Sequence, residues 1–121
     1  MRKRILVVED HEDNRQILRD LLASAGYEMI EAENGEAGVA AATAQVPDLI
    51  LMDIQLPILD GYEATRRIKA DPSLKAIPII VVTSYALSGD EDKARAAGCD
   101  AYIAKPYSPR QLLARIRDFL D

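Results

Sequence analysis

The segment from Pro47 to Gly61, PDLILMDIQLPILDG, constrains the fold more than any other part of the chain. Its first half contains four consecutive apolar residues, Leu49 to Met52, which are followed by a carboxylate, Asp53, and a loop that contains Pro57. A run that is apolar on both faces is typical of a buried strand in the middle of a parallel sheet. Open α/β sheets place their ligand sites at the carboxyl ends of their strands. The sequence therefore predicts chemistry at Asp53, which we interpret as a nucleophile.

Strand-like and helix-like segments alternate along the whole chain. The predicted strands cover residues 4–9, 27–33, 49–53, 77–83 and 101–104. The predicted helices cover residues 11–25, 36–45, 62–70 and 87–97, and a last helix that runs to the end of the chain. This alternation predicts an α/β fold in which five parallel strands carry helices on both faces. We expect a single domain over residues 1–121, with no output domain.

Several residues predict where the helices begin and end. Gly26 is expected to end the first helix, Asn34-Gly35 to form a turn, and Ser108 to cap the last helix with Pro109 at its first position. Residues of the first helix recur at helical spacing as an apolar stripe, and so do residues of the last helix. The first stripe is Ile17, Leu18, Leu21, Leu22 and Ala25, and the second is Leu112, Leu113, Ile116, Phe119 and Leu120.

Composition excludes several classes of protein. The chain has 121 residues, of which 49% are hydrophobic and 29% are charged, and this favours one globular domain. The net charge of −5 gives no support to nucleic-acid binding. The apolar runs are too short for a signal peptide or for membrane insertion. With one cysteine, Cys99, the chain suits a reducing compartment, and we expect a cytoplasmic protein.

Polar residues follow four of the predicted strands at their carboxyl ends. These residues are Glu9 and Asp10, Asp53, Thr83 and Lys105. In a parallel sheet the four ends meet at one edge, where three carboxylates would repel each other and at least one would have a raised pKa. A divalent cation such as Mg²⁺ relieves this repulsion, because it prefers oxygen ligands and takes one or two carboxylates.

The same edge has the groups needed for phosphoryl transfer. Asp10, Asp53 and a backbone carbonyl just beyond Asp53 would bind the metal, and Glu9 would hold a coordinated water. Lys105 and the hydroxyl of Thr83 would contact phosphoryl oxygens. In-line attack by Asp53 on phosphorus would then give an aspartyl phosphate.

Each of these residues also has an ordinary interpretation when it is taken singly. An acid at a strand end is usually a helix cap or a solvated loop residue, and Glu9-Asp10 would suit a capping pair. Thr83 would be a strand residue and Lys105 a surface residue, with Lys105-Pro106 as a turn whose peptide bond is either trans or cis. The combination is far more specific, because all of these residues fall at the correct ends of the correct strands.

The chain resembles the receiver domains of bacterial two-component response regulators over its whole length. The matching segments are Val7 to Asp10, Met52-Asp53 with Pro57 and Asp60-Gly61, Val82-Thr83, and Ala101 to Ile103 with Lys105-Pro106. The resemblance implies a flavodoxin-like doubly wound sheet with strand order 2-1-3-4-5. The chain is similar to stand-alone receivers such as chemotaxis and cell-division regulators. Receivers attached to hybrid kinases can share the same segments.

The resemblance also implies roles for individual residues. Asp53 would be the phosphoacceptor, and Asp10, Asp53 and the backbone carbonyl of Gln55 would bind Mg²⁺, with Mn²⁺ as an alternative. Glu9 would support the metal through a water. Lys105 matches the invariant lysine of the family.

Further roles concern signalling. Thr83 and Tyr102 match the switch pair of the family, and we expect Gln55 and Tyr85 to overhang the acyl phosphate and set its lifetime. The donor would be a sensor histidine kinase or a histidine phosphotransfer protein, and a downstream protein would be the target. The regulator would promote its own phosphorylation and dephosphorylation without a separate substrate.

A docking surface for the partner is harder to define from sequence. Asn14, Leu18 and Leu22 would form an outward stripe on the first helix beside Tyr107, and the alternative is that Leu18 and Leu22 belong to the core edge. We expect a monomer or a weak dimer.

Three other functions remain as alternatives to a phosphorylated switch. A phosphatase with an aspartyl nucleophile usually has a second acid two residues later, where this chain has Gln55. A flavodoxin-like cofactor binder would need a glycine-rich phosphate loop after the first strand, where this chain is acidic. A scaffold that needs no phosphorylation would not need Asp10, Asp53, Thr83 and Lys105 together.

Overall fold

Strands and helices alternate strictly in the computed structural model, which describes residues 2–83 and 90–120. The strands are β1 Arg4–Val8, β2 Glu28–Ala32, β3 Leu49–Asp53, β4 Ile79–Thr83 and β5 Ala101–Ala104. The helices are α1 Glu12–Ser24, α2 Gly35–Gln45, α3 Gly61–Ala70, α4 Asp90–Ala96 and α5 Pro109–Leu120. The predicted start of the fourth helix at Leu87 lies outside the described residues. Across the described ranges, none of these helices is long and apolar enough to cross a bilayer.

All strand pairs are parallel, and the order across the sheet is β2-β1-β3-β4-β5. The predicted fold and strand order are therefore confirmed. β1, β3 and β4 occupy the middle of the sheet and are buried almost throughout, as their continuous apolar runs require. β2 lies at an edge and is only half buried, which agrees with its alternating sequence.

Period-two alternation along the central strands divides the core into two layers. On one face, Val8, Ile50 and Met52 pack against α2, α3 and α4 through Ala42, Ala64, Ile68 and Ala94. On the other face, Val7, Leu49 and Leu51 pack against α1 and α5 through Leu18, Leu22, Leu112 and Ile116. This division matters for the site. Because side chains alternate between the two faces, the position of a residue along its strand decides which core layer its side chain faces, and this holds also for the residues at the strand ends.

The helix ends correct one prediction and confirm another. Asn34 is not part of a free turn: it is the N-cap of α2, and its side chain accepts a hydrogen bond from the backbone N–H of Ala37 at 2.7 Å. Ser108 caps α5 as predicted, since its hydroxyl accepts from the Gln111 N–H at 3.1 Å while the Gln111 side chain accepts from the Ser108 N–H at 2.9 Å. The Lys105-Pro106 bond is cis.

The predicted faces of α1 are partly wrong. Leu18 and Leu22 do not form an outward stripe, because both are buried in the core layer shared with α5. The alternative core position is therefore the observed one. Ile17 was grouped with these residues in the apolar stripe of the helix, but 64% of its surface is exposed. The stripe is rotated so that Arg15, Leu18 and Leu22, spaced three and four residues apart, face the sheet.

The start of α3 is packed directly against the strand end that carries Asp53. A Cβ atom at Gly61 would lie 2.1 Å from the backbone oxygen of Asp53, so only glycine fits without a shift of the backbone. The Gly61 N–H donates to the Ile54 carbonyl at 2.9 Å, and Asp60 caps α3 by accepting from the Glu63 N–H at 2.9 Å. The Asp60-Gly61 pair thus fixes the position of Asp53.

Gly61→Ala is expected to lower the free energy of unfolding by about 3 kcal/mol, because the added methyl group overlaps the Asp53 backbone. Gly26→Ala is the matched control: Gly26 has φ +89° with nothing within 4 Å of the added Cβ atom. It should cost only about 1 kcal/mol of left-handed strain. Urea denaturation of both variants measures the difference, and equal losses would contradict the close packing.

Candidate functional site

The predicted site residues meet at the carboxyl edge of the sheet. Asp53 pairs in register with Val82 of β4, and Thr83 pairs with Ala104 of β5, directly before Lys105. Alternation places Asp53 and Lys105 on the face of α1 and α5. There they line a cavity of about 360 Å³ whose apolar floor comes from the central strands and whose other polar lining includes Glu9, Asn14 and Tyr107.

Lys105 lies between two carboxylates. Its Nζ atom is 3.2 Å from Oε1 of Glu9 and 3.9 Å from Oδ2 of Asp53. The ammonium group therefore makes its hydrogen bond to Glu9 and lies within ion-pair distance of Asp53. An ammonium placed this way offsets the repulsion between the two acids.

Asp53 is largely buried, and its two carboxyl oxygens have different surroundings. Oδ1 accepts a hydrogen bond from the Ile54 N–H at 2.7 Å, which fixes the rotamer, while Oδ2 faces Lys105. Burial raises the pKa of Asp53, Lys105 opposes the rise, and the negative charge of Glu9 adds to it, so that the pKa reaches about 6. The predicted raised carboxyl pKa among the clustered acids is thus found at Asp53.

Glu9 is only 3% exposed, and both of its carboxylate oxygens accept hydrogen bonds. Oε1 accepts from Lys105 and from the Asn14 side chain, both at 3.2 Å, and Oε2 accepts from the His11 N–H at 3.1 Å. Burial opposes ionisation of Glu9, but the His11 N–H and the charge of Lys105 outweigh it and hold the pKa at about 2. Glu9 is therefore the permanent anion of the site.

Asp10 has the surroundings expected of a metal ligand. Its Oδ1 atom is buried and accepts no hydrogen bond from any residue that the structure describes, and Nδ1 of His11 lies 3.1 Å from it. Glu9, Asp10 and His11 each offer a ligand atom within 4.8 Å of the others, and across residues 2–83 and 90–120 this close group does not include Asp53. A buried carboxylate oxygen without a donor fits a hard cation such as Mg²⁺.

Thr83 and Tyr102 lie where the switch pair was predicted. Thr83 is buried at the end of β4, and its carbonyl accepts from the Lys105 N–H at 2.7 Å. Tyr102 pairs in register with Val81, so alternation places the side chains of Thr83 and Tyr102 on the same face of the sheet. Tyr102 is half-buried against the core layer of α2, α3 and α4.

The remaining predicted residues are divided between the loops and α1. Gln55 is exposed in the loop after Asp53, and Tyr85 lies outside the described residues. Tyr107 is half-buried in the cavity wall, where burial, followed by the charges of Glu9 and Asp53, raises its pKa. Asn14 was predicted to contact a partner, but its side chain donates to Glu9.

Two site residues were missed from the sequence. The backbone and ring of His11 both contact Glu9, and the buried guanidinium of Arg15 donates to the Glu9 carbonyl at 2.7 Å. For Arg15 a signal was present, since it lies three and seven residues before Leu18 and Leu22 and so shares their buried face. The sequence gives no comparable signal for His11, because its contacts depend on the turn between β1 and α1.

Comparisons with known proteins agree with this geometry. Residues 5–117 match the response regulator receiver domain. The polar-differentiation response regulator DivK of Brucella anthropi is 45% identical over 120 residues, which are 99% of this chain and 98% of that protein. DivK of Brucella ovis is 44% identical over the same shares of the two chains.

Solved structures give the same result. The receiver domain of the sensor histidine kinase PA1611 from Pseudomonas aeruginosa is 38% identical with a TM-score of 0.93, covering 99% of this chain and 98% of that one. That structure has a magnesium ion coordinated in its active site cleft. The chemotaxis protein CheY4 of Vibrio cholerae is 26% identical with a TM-score of 0.92, covering 98% and 99%. The chain belongs to the family of response regulator receiver domains, and it is a two-component signalling protein with a flavodoxin-like fold.

Asp53→Asn is expected to stabilise the metal-free protein at pH 7. The folded protein binds a proton at Asp53 more tightly than the unfolded chain, where the pKa is near 3.8, so ionisation lowers the free energy of unfolding as the pH rises from about 4 to about 6. The amide avoids this loss, and the gain should be about 2 kcal/mol at pH 7 and should vanish below pH 4.

Chemical denaturation across this pH range in a chelator tests the effect. Asp118→Asn, which removes an exposed carboxyl on α5, is the control and should change stability by less than about 0.5 kcal/mol at either pH. A pH-independent gain in Asp53→Asn would contradict the raised pKa.

Proposed function

We propose that Asp53 is the phosphoacceptor of this receiver and that it takes its phosphoryl group from a phosphohistidine of a sensor kinase or a histidine phosphotransfer protein. The observation that carries the proposal is the Asp53 carboxyl group, which is held through Oδ1 by the Ile54 N–H and directs Oδ2 toward Lys105. A carboxylate that is oriented through one oxygen and has a cation beside the other suits nucleophilic attack on a phosphoryl group. Membership of the receiver family supports the same role.

In the proposed reaction, an oxygen of ionised Asp53 forms a bond to phosphorus as the bond from phosphorus to the donor imidazole nitrogen breaks. The imidazole keeps that electron pair as it leaves. Lys105 pairs with the phosphoryl oxygens and so weakens its contact with Glu9, and Thr83 donates its hydroxyl to one of them. These contacts stabilise the negative charge on the phosphoryl oxygens during the transfer.

The site is also proposed to bind Mg²⁺, or Mn²⁺ in its place. Asp10, Asp53 and the backbone carbonyl of Gln55 would hold the ion, and Glu9 would act through a coordinated water. The buried Asp10 Oδ1 atom, which accepts no hydrogen bond within residues 2–83 and 90–120, supports this assignment. When bound, the ion supplies positive charge that neutralises the carboxylates and the incoming phosphoryl group.

The response to phosphorylation is proposed to pass through Thr83 and Tyr102. Movement of Thr83 toward a phosphoryl oxygen would free space on the face that it shares with Tyr102, whose ring would then turn further inward. The two packings would differ in population rather than in fold. Gln55 and Tyr85 are proposed to set the lifetime of the acyl phosphate, and the chain is proposed to promote its own dephosphorylation.

Intact mass measured after incubation with Mg²⁺ and acetyl phosphate tests the phosphoacceptor. We expect one added phosphoryl group, and we expect it to be absent from Asp53→Asn and from a sample with excess chelator. If no adduct forms with acetyl phosphate, a phosphohistidine-bearing protein is the second donor. Failure with both donors would contradict the proposed function.

The docking surface is proposed to lie at the outer wall of the cavity, at Ile17, Pro106 and Tyr107. Leu18 and Leu22 cannot contribute, because they are buried. Ile17 lines the cavity that contains Asp53 and is still 64% exposed, so it is placed to contact a donor that reaches the site. Ile17, Pro106 and Tyr107 line the same cavity, and apolar surface that is contiguous in this way marks many protein interaction sites.

Ile17→Glu should slow phosphorylation by a protein donor at least tenfold, because it adds charge to an apolar contact. The rate with acetyl phosphate should stay within twofold, since that donor needs no docking. Val46→Glu is the control: Val46 is also exposed, but it precedes β3 and so lies at the opposite edge of the sheet. Equal slowing by both variants, or loss of the acetyl phosphate reaction, would contradict the docking role.

A further inference from the structure

Arg15 is a buried arginine beside the acidic site. Only 5% of its surface is exposed, and a guanidinium is seldom buried to this extent unless its charge is paired. Its Nη1 atom donates to the backbone carbonyl of Glu9 at 2.7 Å in a fully buried hydrogen bond. Arg15 therefore contacts the peptide unit that joins Glu9 to Asp10.

The other contacts of Arg15 hold its guanidinium in place. Nη2 lies 2.6 Å from Glu12 and 3.4 Å from Glu33, and Nε lies 3.3 Å from Glu31. Glu31 and Glu33 flank Ala32, the last residue of β2. The ion pairs therefore tie Arg15 to the end of that edge strand.

Glu9 is consequently anchored to β2 through both of its backbone polar groups. Its N–H donates directly to the Ala32 carbonyl at 3.0 Å. Its carbonyl is held through Arg15 by the two glutamates on either side of Ala32. With both groups bonded, the turn that carries Glu9 and Asp10 cannot rotate freely.

We propose that Arg15 is a positioning residue for the metal site. By fixing the peptide between Glu9 and Asp10, it holds both acids in the orientation in which they bind Mg²⁺. This inference rests on the proposed function, because it assumes that the two acids bind the ion. Partners that orient metal ligands in this indirect way commonly change metal affinity by 10- to 100-fold when they are removed.

The direction in which Mg²⁺ affinity changes when Arg15 is removed separates a positioning role from an effect of charge alone. Arg15 is a cation near an acidic site, and its removal alone would strengthen the attraction of the site for another cation. Weaker Mg²⁺ binding after its removal therefore cannot come from the lost charge. It would have to come from the lost orientation of the ligands.

Arg19 provides a matched control on the same helix. Its Nη2 atom pairs with Glu31 at 2.6 Å and with Glu12 at 3.2 Å, two of the carboxylates that also pair with Arg15. It is more exposed, with 34% of its side chain accessible, and its hydrogen bonds go to Glu12, Gln16 and Glu31 rather than to Glu9. Removing Arg19 thus weakens the same ion-pair network and leaves the Glu9 carbonyl bonded.

The test is isothermal titration calorimetry of Mg²⁺ binding by the full chain and by Arg15→Met, Arg15→Lys and Arg19→Met. Arg15→Met should bind at least about tenfold more weakly. Arg15→Lys keeps the charge but has one donor group in place of the planar guanidinium. Its Mg²⁺ affinity should therefore lie between those of Arg15→Met and the unmodified chain. Arg19→Met should bind within twofold of the unmodified chain.

A kinetic measurement provides a second readout. In Arg15→Met the Mg²⁺ concentration needed for half-maximal labelling by acetyl phosphate should rise about tenfold, in line with the affinity. The rate at saturating Mg²⁺ should change less, because Asp53 keeps its hydrogen bond to the Ile54 N–H, which does not depend on Arg15. A purely structural defect would lower the rate at every Mg²⁺ concentration.

Several outcomes would overturn the inference. Equal or tighter Mg²⁺ binding by Arg15→Met would do so, and so would an equal weakening in Arg19→Met. If circular dichroism shows that Arg15→Met is unfolded, Arg15→Lys decides, and affinity equal to that of the unmodified chain contradicts the positioning role. If the unmodified chain itself binds no Mg²⁺, the proposed metal site is wrong. If it binds Mg²⁺ and Arg15→Met binds it equally well, only the positioning role of Arg15 is wrong.

Discussion

The repulsion between carboxylates buried at one edge of the sheet is the constraint on which the site depends. Glu9 and Asp53 lie on either side of the Lys105 ammonium, at 3.2 Å and 3.9 Å. Glu9 accepts hydrogen bonds from three donors and stays ionised, whereas Asp53 has a raised pKa. The two acids therefore differ in proton affinity because their surroundings differ, and a cation or a phosphoryl group would change that balance.

The fold brings these charges together by simple geometry. Parallel strands deliver all of their carboxyl ends to one edge, and alternation along β3 and β5 turns Asp53 and Lys105 toward the same face. Gly61 packs against the Asp53 backbone, and α1 supplies Asn14 and Arg15 to the side chain and carbonyl of Glu9. The reactive carboxylate is thus placed by the sheet, while its neighbouring acids are oriented by the first helix.

Predictions from the sequence were accurate where one local pattern decides the structure. Apolar runs identified the central strands, and the residues predicted at the strand ends, Glu9, Asp10, Asp53 and Lys105, do lie together at one edge of the sheet. They failed on α1, where helical periodicity was compatible with more than one buried face. Leu18 and Leu22 proved to be core residues and Ile17 proved exposed, because Arg15 occupies the inner face and turns Ile17 toward solvent.

By itself, the sequence determined the order of strands and helices, the residues at the strand ends and the resemblance to receiver domains. These follow from hydrophobic pattern and from residue type, which act over short stretches of chain. The tertiary structure decided which oxygen of Asp53 is bonded, which acid pairs most closely with Lys105, and that Arg15 bridges β1, β2 and α1. Such contacts join residues far apart in sequence, and they depend on packing distances that no local pattern encodes.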